Sequence, residues 1–150
     1  MKTPMLMIFA ASSVLLAGCA SVPLTSSALD SEAKTFKPET GKASIYVSRG
    51  GGLGNTVLFQ VVLDGRITGS LAPKTFQLLT VPPGEHTISV SGVENTEQQK
   101  LTTEAGKNYF YRVTVHMGWS NARARVNSMT EDEARKLVKD LKRAEASTYQ

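Results

Sequence analysis

Cysteine and histidine are scarce in this sequence, and the shortage of cysteine excludes two classes of protein. The 150 residues include one cysteine and two histidines, too few for a disulfide framework or for a zinc or iron–sulfur site built from several thiolates. Aromatic residues make up 7% of the chain, with a single tryptophan. Glycine and proline follow no repeat period, which excludes a collagen-like rod. What remains is a chain with 41% hydrophobic residues and the length of one globular domain.

The N-terminus carries the clearest targeting signal. Lys2 precedes an apolar run from Met5 to Ala17, which is shorter than the ~20 residues that a membrane-spanning helix needs. The run predicts the hydrophobic region of a secretory signal peptide. Its end resembles the lipobox of bacterial lipoproteins, and the matching residues are Leu16, Ala17, Gly18 and Cys19.

This resemblance implies that residues 1–18 are a lipoprotein signal peptide and that the Cys19 thiol carries a diacylglycerol. Together with acylation of the new N-terminus by a fatty acid such as palmitate, about three chains would anchor the protein durably. Ala20 stands where aspartate commonly retains Gram-negative lipoproteins in the inner membrane. We therefore expect the outer membrane, with the protein facing the periplasm. The alternative is a plain signal peptide with an incidental cysteine.

Residues 19–40 are rich in serine and threonine and contain Pro23 and Pro38. Their apolar residues follow no period, which predicts a lipidated flexible tether. The alternative is an N-terminal arm that packs on the domain through Leu29 and Phe36.

Residues 41–150 predict a mainly β domain, either an antiparallel β-sandwich or an open barrel, because short alternating segments are separated by turn residues. Asp64-Gly65 predicts a type I′ hairpin turn, and Pro82-Pro83-Gly84 predicts a second turn. Arg123 and Arg125 point outward in the last strand, which suits an edge strand. The predicted strands are 42–48, 57–64, 66–71, 75–81, 85–91, 97–103, 107–117 and 121–128.

The periodicity changes from two to that of a helix after the last strand. Thr130 and Glu133 form a capping-box pattern, and the apolar residues that follow share one helical face. One amphipathic helix over residues 130–147, packed on the sheet, is the expected end of the domain.

The centre of the chain resembles a known repeat. Residues 63–69 and 81–88, each built around a glycine turn, are similar to the PEGA repeat. With Gly41-Lys42-Ala43 and residues 105–110, the chain resembles, over 42–129, a bacterial lipoprotein domain of unknown function, DUF2846. The resemblance implies a β-rich, lipid-anchored envelope domain, and it implies no activity.

The motifs that could carry chemistry are weak. The glycines of residues 50–54 do not match a phosphate-binding loop, so we expect a mobile hairpin loop there. His86 and His116 have no accompanying third ligand, so we expect neither a metal nor any other cofactor. We expect His86 to serve its turn and His116 to lie on a solvated face.

Trp119 falls in a predicted hairpin loop, near Arg123, Arg125 and Tyr111. These four residues could form a binding surface for a partner or ligand. The alternative is that Trp119 covers the core.

The sequence favours a non-enzymatic outer-membrane lipoprotein that binds or scaffolds another envelope component. Besides the membrane contacted through Cys19, its expected partner is an envelope protein or a glycan. A small glycan- or peptide-binding module is the second hypothesis, and an enzyme is a distant third. Removal of Lys2 with the signal peptide lowers the formal charge from +4 to +3, which is too weak for a nucleic-acid-binding surface.

Overall fold

A computed structural model describes residues 21–147 of the chain. The expectation of a mainly β chain with a C-terminal helix is confirmed. The elements are α1 (Ser27–Ala33), β1 (Ala43–Arg49), β2 (Phe59–Leu63), β3 (Arg66–Leu71), β4 (Thr75–Val81), β5 (Gly84–Ser91), β6 (Thr96–Thr103), β7 (Asn108–Met117), β8 (Ala122–Ser128), α2 (Glu131–Lys139) and β9 (Lys142–Arg143). Neither helix is long and apolar enough to cross a membrane.

Two sheets form a sandwich-like arrangement and do not close into a barrel. One has the strand order β8-β7-β1-β4-β9, and the other has the order β3-β2-β5-β6. Because side chains alternate along each strand, both sheets contribute apolar residues to one core. Its members include Ile45, Phe59, Val61, Ile88, Val113 and Val126.

The prediction of wholly antiparallel sheets is wrong for the five-stranded sheet. β1 pairs in parallel with β7, and β4 pairs in parallel with β9. The chain crosses to the other sheet after β1 and returns through β4, then crosses again for β5 and β6 before it returns as β7. Alternation predicts which side of a strand is buried, but it does not encode which strand lies beside it.

The predicted turn and the start of the predicted helix agree with the structure. Asp64 and Gly65 have φ angles of 49° and 80°, as both central residues of a type I′ turn require, and they join β2 to β3. The Thr130 side chain and the Glu133 side chain form the reciprocal capping box at the start of α2.

The predicted helix over residues 130–147 is too long, because α2 ends at Lys139. The chain then runs beside β4 and β3, where the Ala144 amide donates to the Phe76 carbonyl and the Ser147 amide donates to the Thr68 carbonyl. These strands offer backbone groups that need partners. Residues 140–147, which we call the tail, donate to these groups in an extended conformation. Local helical periodicity could not reveal this pairing.

The prediction of a flexible tether over residues 19–40 is wrong for its described part, residues 21–40. Residues 27–33 form α1, and Phe36 is buried against Tyr46 and Phe110. The Tyr46 hydroxyl donates to the Ala33 carbonyl at 2.8 Å. This segment is therefore the packed arm of the alternative hypothesis, although Leu29 stays 45% exposed. The folded domain begins before residue 41.

The arm and α2 cover the outer face of the five-stranded sheet. Phe36, Tyr46, Phe76 and Phe110 form a second, aromatic core there, with ring centroids between 5.1 and 6.1 Å apart. Offset and tilted ring pairs at such distances are favourable. The buried residues of α2 pack against the same cluster.

The strands place their connections at two ends of the molecule. We use "loop end" for residues 50–58, 72–74, 92–95 and 118–121, and "turn end" for residues 64–65, 82–83 and 104–107. The Val93 amide donates to the Ala122 carbonyl, and the Arg49 guanidinium donates to the Leu71 carbonyl, so both sheets contribute to the loop end.

Candidate functional site

The β7–β8 hairpin projects beyond the rest of its sheet. The parallel pairing of β1 with β7 stops where Arg49 lies opposite Val113, and β7 continues to Met117. Trp119 lies in the connection at its tip and is 97% exposed. The hypothesis that Trp119 covers the core is therefore wrong.

Glu94, from the β5–β6 connection, holds this tip in place. Its carboxylate accepts hydrogen bonds from the backbone amides of Trp119, Ser120 and Asn121, at 3.2, 2.9 and 2.6 Å. Arg123 Nε donates to it at 3.0 Å. Led by the Ser120 amide, these donors lower the pKa of Glu94 to about 2. Glu94 was missed in the sequence because its partners lie some 25 residues further along the chain.

The outward face of the hairpin carries positive charge. Arg123 lies opposite His116 and Arg125 lies opposite Thr114, and both arginines are exposed while Ala124 between them is buried. Residues two apart on a strand are separated by ~7 Å. Arg123 is bonded to Glu94, whereas Arg125 forms no ion pair with any residue between 21 and 147. The expected edge position of this strand is confirmed.

Tyr111 does not belong to this surface, so its inclusion with Trp119 is wrong. It is 7% exposed and lies in the core between the sheets, and burial raises its pKa. Tyr111 pairs with Ser128, whereas Met117 pairs with Ala122 at the tip. It therefore lies at the opposite end of the hairpin.

Three other large apolar side chains are exposed at the same end of the molecule as Trp119. Leu53 and Val93 at the loop end, and Met117 directly before it, are each more than half exposed. Leu53 and Val93 belong to two different connections and Met117 is the last residue of β7, so these exposed apolar residues come from three separate segments of the chain. Exposed apolar groups that gather at one place mark interaction surfaces more often than scattered ones do.

The loop over residues 50–58 is not the mobile hairpin loop that was expected. It joins β1 of one sheet to β2 of the other. Arg49, a buried residue that the sequence analysis missed, donates to the Gly54 carbonyl at 2.7 Å and to the Val57 carbonyl at 2.6 Å. Its guanidinium also lies 4.4 Å from the centre of the Phe59 ring. Burial lowers the pKa of Arg49 to about 10.

The outer edge of β8 is covered. The Asn95 side chain both donates to the Ala124 carbonyl and accepts from the Ala124 amide, at 2.8 and 2.9 Å. Gln99 donates to the Val126 carbonyl at 3.2 Å. A partner could not add a strand here without displacing these side chains.

The two histidines lie apart. His86 is buried at the turn end, where Nδ1 lies 2.6 Å from Asp64 Oδ2 and Nε2 lies 2.8 Å from the Pro82 carbonyl oxygen. Asp64 also accepts from the Thr87 amide at 2.7 Å. His86 therefore links the two turns, as expected, while His116 is exposed on the hairpin. The expected lipidation site at Cys19 and its lipobox, residues 16–18, lie outside the described residues.

A family pattern described as "Protein of unknown function (DUF2846)" matches residues 39–127. The chain belongs to the DUF2846 family. An uncharacterised protein of Haemophilus influenzae is 32% identical over 132 residues, which cover 87% of this chain and 79% of that protein. The DUF2846 match runs from just before β1 into β8 and includes the hairpin with Trp119 and both arginines. The helix α2 and the tail beyond it lie outside the matched range.

Proposed function

We propose that this protein is a lipid-anchored module of the outer membrane that faces the periplasm and binds or scaffolds another envelope component without catalysing a reaction. The lipobox resemblance supports the anchor at Cys19, and the PEGA-like turns are consistent with an envelope domain. The main support for a binding role is the exposure of Trp119. This residue is 97% exposed at the tip of a hairpin that Glu94 holds in place.

An exposed tryptophan on a fixed backbone suits binding for a physical reason. Trp119 exposes a large apolar surface to water. Removing that surface from water by covering it with a partner lowers the free energy. Its backbone is already ordered by Glu94, so a partner that covers it has little loop entropy to remove. Tryptophan and arginine are also the side chains that most often dominate binding energies.

The direction of the chain supports a partner on the side away from the anchor. The Thr25 amide donates to the Arg143 carbonyl and the Glu145 amide donates to the Pro23 carbonyl. These residues therefore run antiparallel to the tail, which itself runs along β4 from the loop end toward the turn end. Traced back toward residue 21, the chain heads for the turn end. An anchor at Cys19 would leave the loop end facing away from the membrane.

The anchor is tested by Cys19→Ser, with Ser21→Ala as the control. In cells labelled with palmitate, we expect Cys19→Ser to lose the label and to remain either uncleaved or soluble, because no second lipid attachment is proposed. Ser21→Ala should fractionate with the outer membrane, as the wild type should. A fully processed Cys19→Ser protein in the membrane fraction at wild-type levels would refute the anchor.

A further inference from the structure

The outward face of the β7–β8 hairpin carries one arginine, Arg125, that forms no salt bridge with a described residue, and Trp119 is exposed at the tip of the same hairpin. Across this described hairpin, the outward positions of both strands carry no acidic residue, and their members are Arg112, Thr114, His116, Arg123, Arg125 and Asn127. Glu94, the acidic residue closest to the tip, is occupied by backbone amides and Arg123. Arg123 already pairs with Glu94, and hydrogen bonds from Thr130 together with the charge of Arg112 lower the pKa of Glu133. Arg125 is therefore the arginine of this face for which an acidic ligand group would be a new partner.

Trp119 and Arg125 indicate which chemical groups such a ligand would carry. The Trp119 ring is 97% exposed, so it offers a flat face rather than a pocket. The axial C–H groups of a sugar ring form a flat apolar surface that stacks on such a face. Arg125 is exposed on the adjoining strand, and a guanidinium binds a carboxylate through two parallel hydrogen bonds. Sugar rings that carry carboxylates at intervals satisfy both residues.

The covered edge of β8 and the direction of the N-terminal arm each disfavour one other class of ligand. Asn95 and Gln99 occupy the backbone groups of β8, which disfavours an extended peptide that would add as a strand. The arm turns toward the end of the molecule opposite to Trp119, which disfavours the headgroups of the anchoring membrane. An anionic glycan that lies beyond the membrane surface is consistent with both observations.

We propose that the tip and outward face of the β7–β8 hairpin bind the acidic glycopeptide of the cell wall, an amino-sugar polymer with peptide carboxylates, through Trp119 and Arg125. This inference rests on the proposed function, since it names the envelope component that the module would bind. Stacking on Trp119 would supply a contribution to the binding free energy that depends little on salt concentration. Pairing with Arg125 would supply an electrostatic contribution that salt screens.

The test is cosedimentation of the full-length protein, purified in mild detergent, with purified cell-wall sacculi. We expect Trp119→Ala and Arg125→Ala each to weaken binding by about tenfold, and the double variant to weaken it more. The matched control is Ile67→Ala with Lys100→Ala, an exposed apolar residue and an exposed lysine on the outer face of the other sheet. This control should pellet as the wild type does.

Two further probes separate the charges from the sugars. Sacculi whose carboxylates have been converted to amides keep their sugar rings, and we expect them to bind the wild type weakly and with little dependence on salt. Vesicles of phosphatidylethanolamine and phosphatidylglycerol test the membrane as the occupant. Undiminished pelleting of the folded double variant, equal binding to amidated sacculi, or binding to vesicles in place of sacculi would each overturn the proposal. Failure of the anchor would appear in the Cys19→Ser fractionation and would leave this binding unchanged.

Discussion

Replacing Arg49 with alanine tests how far one buried cation organises the loop end. Arg49 is 2% exposed, and its guanidinium donates to the carbonyls of Val57, Leu71 and Gly54 at 2.6, 3.1 and 2.7 Å. The Leu71 contact is buried and the other two are partly buried. Truncation would leave all three acceptors without this donor.

The expected cost follows from these contacts. A buried acceptor left without its partner costs ~1–3 kcal/mol, and acceptors that water can reach cost less. Loss of the contact with Phe59 adds about 1 kcal/mol. Removing a buried charge restores some free energy, because burial already lowers the pKa of Arg49 to about 10. We expect Arg49→Ala to lower the free energy of unfolding by about 2–4 kcal/mol.

Urea unfolding followed by far-UV circular dichroism measures this difference. Arg49→Lys should give an intermediate loss, because one ammonium group cannot reach three carbonyls in the same geometry. Arg125→Ala removes an arginine from the exposed hairpin face and should change stability by less than ~0.5 kcal/mol. If Arg49→Ala unfolds at the same urea concentration as Arg125→Ala, the structural role assigned to Arg49 is wrong.

Two further predictions concern the hairpin tip and the arm. The pKa of Glu94 in the folded protein is lowered to about 2. Its hydrogen bonds to the tip should therefore be fully formed at pH values above the ordinary pKa of a glutamate, and they should be lost as the pH falls toward 2. The fluorescence anisotropy of Trp119, the single tryptophan, should fall over that range in the wild type, whereas Glu94→Gln should lack this transition; a transition that persists in Glu94→Gln would contradict this. Deletion of residues 21–40 should lower the melting temperature, because Phe36 and the hydrogen bond to Tyr46 are lost. Phe36→Ala alone should cost about 3–5 kcal/mol and Leu29→Ala much less, and an unchanged melting temperature of the fragment 41–150 would contradict the packing of the arm.

Local patterns predicted the strands well because turn chemistry acts over a few residues. Asp64-Gly65 marks its hairpin since both positions adopt positive φ. Thr130 and Glu133 mark the start of α2 since their hydrogen bonds lie within one helical turn. Alternation also placed Arg123 and Arg125 outward correctly.

The same alternation set Tyr111 on the side of Val113, which is the buried side. Grouping Tyr111 with Trp119 relied on closeness in sequence. Because a strand is extended, residues eight positions apart along it lie far from each other in space. Arg49 was missed for a different reason. An arginine at the end of a strand is expected at the surface, and its three acceptors lie on loops and a strand from elsewhere in the chain.

The sequence alone determined the positions of the eight main strands, the start of the C-terminal helix and the exposed placement of both hairpin arginines, because each depends on neighbours a few residues away. Only the tertiary structure decided that β1 lies parallel to β7, that the arm packs on the outer sheet face, and that Glu94 holds the tip under Trp119. Those features depend on contacts between distant parts of the chain. Such contacts form only when burial of both apolar faces brings the two sheets together, and no local period records which partner each side chain then meets.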